Sequence, residues 1–227
     1  MSRWNKWAGR VLRRPSLMGS LLKDKLYSQF IDDPAVLQFQ RSRYCLICYP
    51  KAGRTWVQVV IGALIHDVHN LHDIDQKMLN YEQTRYVGIP RLTITHDGSG
   101  PPYRDYYPPS KSYYHDKRVI LIIRDVRDVM VSYYYQCTRR ERLFEGTLSQ
   151  FIRDHAFGMP RVMPFLKDWY EHRTVPEKLL LVRYEDMQLD KVATFRAIAD
   201  FMDIRYGNDL RVKKAIEFGS FDRMREM

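Results

Sequence analysis

The sequence has 227 residues, which is enough for one domain with a sizeable core and too few for two ordinary domains. Hydrophobic residues make up 45% and charged residues 28%, a balance that excludes a disordered chain. The formal net charge of +10 indicates an anionic partner, and on charge alone a nucleic acid, a membrane surface and a phosphorylated small ligand all fit.

The N-terminal segment, residues 1–40, is predicted to be a basic helical extension. Trp4, Trp7 and Val11 recur at helical spacing among arginines and lysines. Such a helix suits peripheral contact with an anionic membrane, and the alternative is a frayed basic extension or a helix packed on the domain. Arginines interrupt any signal-like region, and no apolar run approaches the roughly 20 residues of a membrane span. We therefore predict a cytoplasmic protein.

Alternating apolar runs and helical patterns predict the fold of residues 41–227. The predicted strands are Tyr44–Tyr49, Leu92–Thr95, Arg118–Ile123 and Leu179–Arg183. The first, third and fourth are almost continuously apolar, as in a parallel sheet covered on both faces. The predicted helices are Thr55–Val68, Arg127–Arg139, Pro160–His172 and Lys191–Met202. Together they indicate a three-layer, P-loop-like α/β fold in which helices flank a central parallel sheet.

Two cysteines in the first strand form a C-x-x-C pattern, which raises the question of metal or redox chemistry. Cys45 and Cys48 are three apart, and positions three apart on a strand point to opposite faces. The sequence offers no second C-x-x-C and no suitably spaced histidine pair. We predict that both are small buried residues in a chain without a metal site.

The turn that follows the first strand has the chemistry of an anion cradle. Gly53 lets the backbone approach an anion, Lys51 adds a positive charge, and Thr55 adds a hydroxyl donor at the start of a helix. The G-x-x-x-x-G-K-[ST] order of nucleotide triphosphatases is absent.

The segment Tyr49–Trp56 resembles the Y-P-K-S-G-T-T-W loop of the sulfotransferases that use 3′-phosphoadenosine-5′-phosphosulfate (PAPS). The resemblance implies that Lys51 contacts the oxygen between sulfur and phosphorus, and that Trp56 stacks on the adenine. The rest of the loop would surround the 5′-phosphosulfate, namely Ala52, Gly53, Arg54 and Thr55. Ala52 replaces a serine of the family and loses a hydroxyl, whereas Arg54 replaces a threonine and adds a cation.

Further segments resemble other motifs of the same family. Arg124 and Ser132 match the R-N-P-K-D-V-A-V-S-Y-Y motif, which implies that they bind the 3′-phosphate, although Asp125-Val126 stands in place of Asn-Pro. Tyr184 matches Y-E-D-M and would edge the adenine. Phe221 matches S-F-x-x-M and would complete the adenine slot.

His96 ends the second strand and resembles the histidine in front of the family's acceptor pocket. Transfer to a hydroxyl needs a base, and a histidine titrating near neutrality suits that task. Asp97 is predicted either to orient His96 or to face solvent. The loop His96–Lys117 is rich in proline and tyrosine and fits a pocket wall or a surface excursion.

The resemblance implies sulfuryl transfer from PAPS to a hydroxyl or amine of a small molecule or glycan, with His96 as base and Lys51 stabilising the leaving phosphate. No metal and no nucleic acid are expected. Two alternatives stay open: a nucleoside or small-molecule kinase, and a truncated, non-catalytic anion-binding member. The sequence lacks the family's R-K-G-x-x-G-D-W loop. We expect either that another element replaces this loop or that cofactor binding is weakened.

Overall fold

The computed structural model describes residues 34–71, 89–98 and 110–226. Most of the predicted N-terminal extension and the proline-rich part of the loop His96–Lys117 lie outside this range. The described strands are β1 (Tyr44–Cys48), β2 (Leu92–Thr95), β3 (Arg118–Ile123) and β4 (Lys178–Arg183). All neighbouring strands pair in parallel, in the order β2-β1-β3-β4.

Helices cover both faces of this sheet. They are α1 (Pro34–Arg41), α2 (Arg54–His69), α3 (Val126–Tyr135), α4 (Leu148–Arg153), α5 (Met159–Glu171), α6 (Tyr184–Leu189), α7 (Lys191–Phe201), α8 (Asp209–Phe218) and α9 (Phe221–Glu226). A 3-10 turn spans Lys111–Tyr114, and a π-helical turn, Gln136–Arg140, follows α3. No helix in the described ranges is long and apolar enough to cross a membrane.

The alternation of side chains along β1 divides the core into two layers. Tyr44, Leu46 and Cys48 pack with α2, α7 and α8, whereas Cys45 and Ile47 pack with α1, α3, α4 and α5. The predicted three-layer α/β fold is therefore confirmed. The prediction that Cys45 and Cys48 are buried on opposite faces of the strand is also confirmed, because both are fully buried and they pack in different core layers.

Strand β4 differs from the prediction that both of its faces are covered. It lies at one edge of the described sheet, where Val182 is its only buried residue and Leu181 is 51% exposed. An apolar run of this length also suits an edge strand with one face half open, so composition alone did not identify the edge.

The second predicted helix, Arg127–Arg139, does not continue as a regular α-helix to Arg139. Regular α-helical geometry stops at Tyr135, and the chain then widens into the π turn, which closes with a bond from Glu141 N–H to the Gln136 carbonyl of 3.0 Å. The Cys137 carbonyl accepts bonds from Leu143 and Phe144, so the chain reverses here. This turn carries a residue of the candidate site.

Helix α1 falls inside the predicted extension but is part of the packed domain. Val36 and Phe39 are buried, and the Phe39 ring meets the Tyr114 ring edge-on at a centroid distance of 5.2 Å. Burial of a phenylalanine side chain such as that of Phe39 contributes about 2 kcal/mol to the stability of the fold. Residues 34–41 thus anchor the start of β1.

Candidate functional site

The turn between β1 and α2 has an unusual backbone. Lys51 and Gly53 have φ angles of 70° and 108°, both in the left-handed region. A Cβ atom on Gly53 would lie 2.6 Å from Cδ2 of Tyr184, so only glycine fits without displacing that ring. Gly53 also caps α2, which begins without a side-chain cap. A helix N-terminus of this kind can accept an anion in place of the cap.

Arg124 joins the end of β3 to this turn. Its Nη1 donates a hydrogen bond of 3.2 Å to the Lys51 carbonyl, and its guanidinium carbon lies 4.2 Å from the centre of the Tyr184 ring. The buried Nε of Arg124 has no hydrogen-bond partner among the described residues. Ser132 lies two turns further along α3 and is partly buried. The guanidinium is thus held at the turn with a donor still to be satisfied.

The Tyr184 ring is the common neighbour of these groups. Its centroid lies 6.1 Å from that of Trp56, which in turn lies 5.4 Å from that of Phe195. The indole Nε1 of Trp56 is buried and has no acceptor among the described residues. The structure therefore brings together Trp56 and Tyr184, two residues predicted from separate motifs.

Phe221 lies apart from this aromatic group in the described structure. Its side chain is 71% exposed, and its ring lies 5.8 Å from the Arg225 guanidinium. The chain just before it is fixed on α2, because a Cβ on Gly219 would lie 2.5 Å from Cγ2 of Val60. A role for Phe221 in an adenine slot stays a prediction.

The Lys51 side chain makes a contact that sequence reasoning missed. Its Nζ donates a hydrogen bond of 2.7 Å to Oε1 of Gln136, on the π turn. Burial lowers the pKa of Lys51 below its ordinary value, and the nearby charge of Arg140 lowers it further. Sequence reasoning did not identify Gln136, because the predicted helix Arg127–Arg139 placed it within a regular α-helix.

His96 follows β2 directly and is buried, with 3% of its surface exposed. Its Nδ1 lies 2.9 Å from the Cys48 carbonyl at the end of β1. A carbonyl only accepts, so Nδ1 carries a proton, and in the neutral form of the ring the lone pair is on Nε2. This is the tautomer that a general base needs if Nε2 faces the substrate.

The prediction that Asp97 faces solvent was wrong, and its alternative role in orienting His96 stays a prediction. Its carboxylate is buried, and within the described ranges it accepts hydrogen bonds from Lys111 Nζ (2.6 Å), Tyr114 OH (2.9 Å) and Trp169 Nε1 (2.9 Å). Burial opposes the charge on Lys111, but attraction to Asp97 and a bond to Asp168 raise the pKa of Lys111 overall. Asp97 therefore closes the base of the loop that follows His96.

The turns after β3 and β4 are also linked. Asp125 accepts the Arg127 N–H at 2.9 Å and caps α3. Glu185, in the first turn of α6, accepts the Asp125 N–H at 2.8 Å. Hydrogen bonding by Arg127 lowers the pKa of Asp125 to about 2. In the described part of the chain, no three His, Cys, Asp or Glu side chains form a group that could hold a metal ion.

These residues share one edge of the sheet. Lys51, His96, Arg124 and Tyr184 all follow the carboxyl ends of the parallel strands. The chain leaves β1 toward β2 on one side and returns to β3 on the other, so the crevice between β1 and β3 is the topological switch point. Ligands of open α/β sheets bind at such a point.

Comparison with known proteins identifies the class. Residues 41–227 match the family described as the sulfotransferase domain, and the chain belongs to this family. It is 24% identical to luciferin sulfotransferase of Photinus pyralis over 88% of its own length, and 28% identical to sulfotransferase 4A1 of Mus musculus over 77%. The chain spans 61% and 64% of those two relatives, which is less than two thirds of their length.

The fold is shared with a solved member. A crystal structure of mouse sulfotransferase SULT7A1 complexed with PAP superposes with a TM-score of 0.56 at 22% identity, covering 81% of this chain and 66% of that one. This likeness supports the P-loop-like arrangement of the layers.

Proposed function

We propose that this protein transfers the sulfuryl group of PAPS to a hydroxyl group of a small-molecule acceptor. The observation that carries the proposal is the junction of Lys51, Arg124 and Tyr184 at the switch point, in a chain of the sulfotransferase family. An amine or a glycan hydroxyl could accept the group in the same way, because each is a nucleophile that loses a proton on transfer. One relative is named for a small molecule, luciferin.

The residues present suit PAPS in three respects. The turn at Gly53 precedes a helix start that has no side-chain cap, Arg124 holds an unsatisfied Nε, and Trp56 and Tyr184 offer an aromatic wall. Ala52, Gly53, Arg54 and Thr55 would surround the 5′-phosphosulfate. Arg124 and Ser132 would bind the 3′-phosphate, and Phe221 would close the adenine slot from α9.

PAPS supplies an activated sulfuryl group, so the protein has to position the acceptor, remove its proton and neutralise charge. His96 Nε2 would take the proton of the acceptor hydroxyl as the new S–O bond forms. The Lys51 ammonium would neutralise the charge that grows on the departing phosphate. Cationic side chains and helix amides can perform this neutralisation, and transfer should therefore persist in EDTA.

The test is transfer of label from ³⁵S-PAPS to a panel of phenols, alcohols and amines. Lys51→Met and His96→Gln should each lower kcat by about a hundredfold or more, since each removes a charge-stabilising or proton-accepting group. Lys213→Met, which removes an exposed lysine on α8, is the matched control and should keep normal turnover. Wild-type turnover in either active-site variant would refute the assigned roles.

Calorimetric titration separates this proposal from its alternatives. We expect adenosine 3′,5′-bisphosphate to bind, and ATP with Mg²⁺ to bind more weakly, because the turn lacks the lysine–serine order that holds a nucleotide's magnesium ion. Preference for ATP would favour a kinase. Bisphosphate binding without transfer to any acceptor would favour a non-catalytic member of the family.

A further inference from the structure

The contact between Lys51 and Gln136 is the starting point. Lys51 Nζ lies 2.7 Å from Gln136 Oε1, and Gln136 Nε2 lies 2.5 Å from Glu141 Oε1. An ammonium only donates and a carboxylate only accepts. The two partners together therefore fix the orientation of the amide, with its oxygen toward Lys51 and its nitrogen toward Glu141.

The π turn is what makes this chain of contacts possible. The bond from Glu141 N–H to the Gln136 carbonyl joins residues five apart, and it places the two side chains on the same side of the turn. In a regular α-helix, residues three and four apart share a face, and residues five apart do not. Single π turns within helices occur frequently at functional sites.

A partly buried ammonium needs an acceptor, and Lys51 has a flexible stem on a strained backbone. A lysine side chain has four rotatable carbon–carbon bonds. The φ angle of Lys51, 70°, lies in a region that residues other than glycine rarely populate. The described groups that act on its charge are Arg140, Glu141, Arg124 and Cys137. The two arginines repel the ammonium and Glu141 attracts it, while Gln136 Oε1 is the acceptor that the ammonium contacts directly.

We propose that Gln136, itself oriented by Glu141, is the positioning residue for Lys51 and holds its ammonium between the β1–α2 turn and the end of α3. This inference rests on the proposed function for its catalytic consequence, but its structural content concerns only residues of this chain. Gln136 does not touch the reacting groups in this role. It restricts where the Lys51 charge lies before and during transfer.

The first test measures the reactivity of the Lys51 amine in the absence of any ligand. Competitive acetylation with acetic anhydride over a pH series, followed by mass spectrometry of the Lys51 peptide, measures the neutral fraction and access of this amine. In Gln136→Leu the ammonium loses its acceptor, so its pKa should fall further and labelling at pH 8 should be about threefold faster or more.

The matched variants keep the test independent of general damage to the turn. Thr138→Val removes the bond from Thr138 Oγ1 to the Tyr134 carbonyl on the same turn and should leave Lys51 labelling unchanged. The double variant Gln136→Glu/Glu141→Gln preserves both hydrogen bonds but places a carboxylate against Lys51. Its Lys51 should label more slowly than in wild type, because an adjacent negative charge raises the pKa of an ammonium.

The second test measures kcat, KM and the pH dependence of kcat. Gln136→Leu should lower kcat about tenfold, with a smaller change in KM for PAPS, because a misplaced ammonium stabilises the leaving phosphate poorly. The alkaline limb of kcat should move to lower pH in this variant and to higher pH in the double variant. A residue that only supports the turn would not move this limb in opposite directions.

The outcomes separate this inference from the proposed function. If wild type neither binds the bisphosphate nor transfers sulfate, the proposed function fails, while the labelling experiment still decides the role of Gln136. If Lys51 labels equally in wild type, Gln136→Leu and the double variant, the positioning role is overturned. If Gln136→Leu does not fold, the direction of the change in the double variant decides.

Discussion

At the residue scale, the Tyr184 ring organises the candidate site. It packs over the hydrogen-only face of Gly53, lies under the Arg124 guanidinium and meets Trp56 edge-on. A cation placed over a tyrosine ring contributes about 0.5–2 kcal/mol, depending on how far it is desolvated. The ring therefore orients Arg124 while it prevents any larger residue at position 53.

Replacement of Gly53 by alanine tests this arrangement. The added Cβ would meet Tyr184 at 2.6 Å on a backbone with φ of 108°, so we expect a loss of about 2 kcal/mol in unfolding free energy. We also expect at least about a tenfold weaker affinity for adenosine 3′,5′-bisphosphate, because the displaced ring no longer holds Arg124. Chemical denaturation and calorimetry measure the two effects.

Gly207 provides the matched control for backbone strain. Its φ is 78°, and nothing lies within 4 Å of a Cβ built on it. Gly207→Ala should therefore cost about 1 kcal/mol of stability and leave bisphosphate affinity unchanged. Equal affinity in the two alanine variants would contradict the role assigned to the contact with Tyr184.

At the element scale, the site depends on turns that follow the strands. Arg124 ties the β3 turn to the β1 turn, and Glu185 ties the β4 turn to the β3 turn. The end of β2 is held by Asp97, whose φ of 52° is stabilised by three side-chain donors around its carboxylate. Each turn is thus braced by a side chain from another element.

Removal of the Asp97 carboxylate should disrupt the hydrogen bonds that hold the chain at the end of β2. Asp97→Ala leaves Tyr114 and Trp169 as buried donors without their acceptor and removes one of the two carboxylates that Lys111 contacts, so we expect a loss of about 3–5 kcal/mol in unfolding free energy. Asp168→Ala removes only the half-exposed partner of Lys111 and should cost no more than about 1 kcal/mol. Urea denaturation distinguishes the two, and similar losses would show that Asp97 is not the centre of the network.

The same elements show which features could be predicted from sequence. The positions of strands and helices could be predicted from the periodicity of apolar residues. The turn at Gly53 could be predicted from the glycine and lysine that follow a buried strand. The partners of Asp97 come from positions up to 72 residues away along the chain, and local patterns do not reveal such contacts. The π turn and the Gln136 contact were missed because helical periodicity continues through α3 in the sequence.

At the scale of the whole molecule, one sheet connects two core layers. Cys45 and Cys48 project from β1 into opposite layers, whereas Cys137 lies in the π turn beside Lys51. All three thiols are buried, and burial raises the pKa of Cys45 and raises that of Cys137 to about 11. The three thiols therefore report on three regions of one cooperative structure.

Thiol labelling at increasing urea concentration should follow this architecture. Cys45 and Cys48 should react only on global unfolding and with the same free energy, because separating either layer from β1 exposes the central sheet. Cys137 should react at lower urea through local opening, since the π turn joins α3 to an exposed segment that follows it. Bisphosphate should slow Cys137 selectively if the turn positions Lys51 for the ligand. Labelling of Cys48 well before Cys45 would instead mean that the α2–α7–α8 layer separates from the sheet as an independent unit.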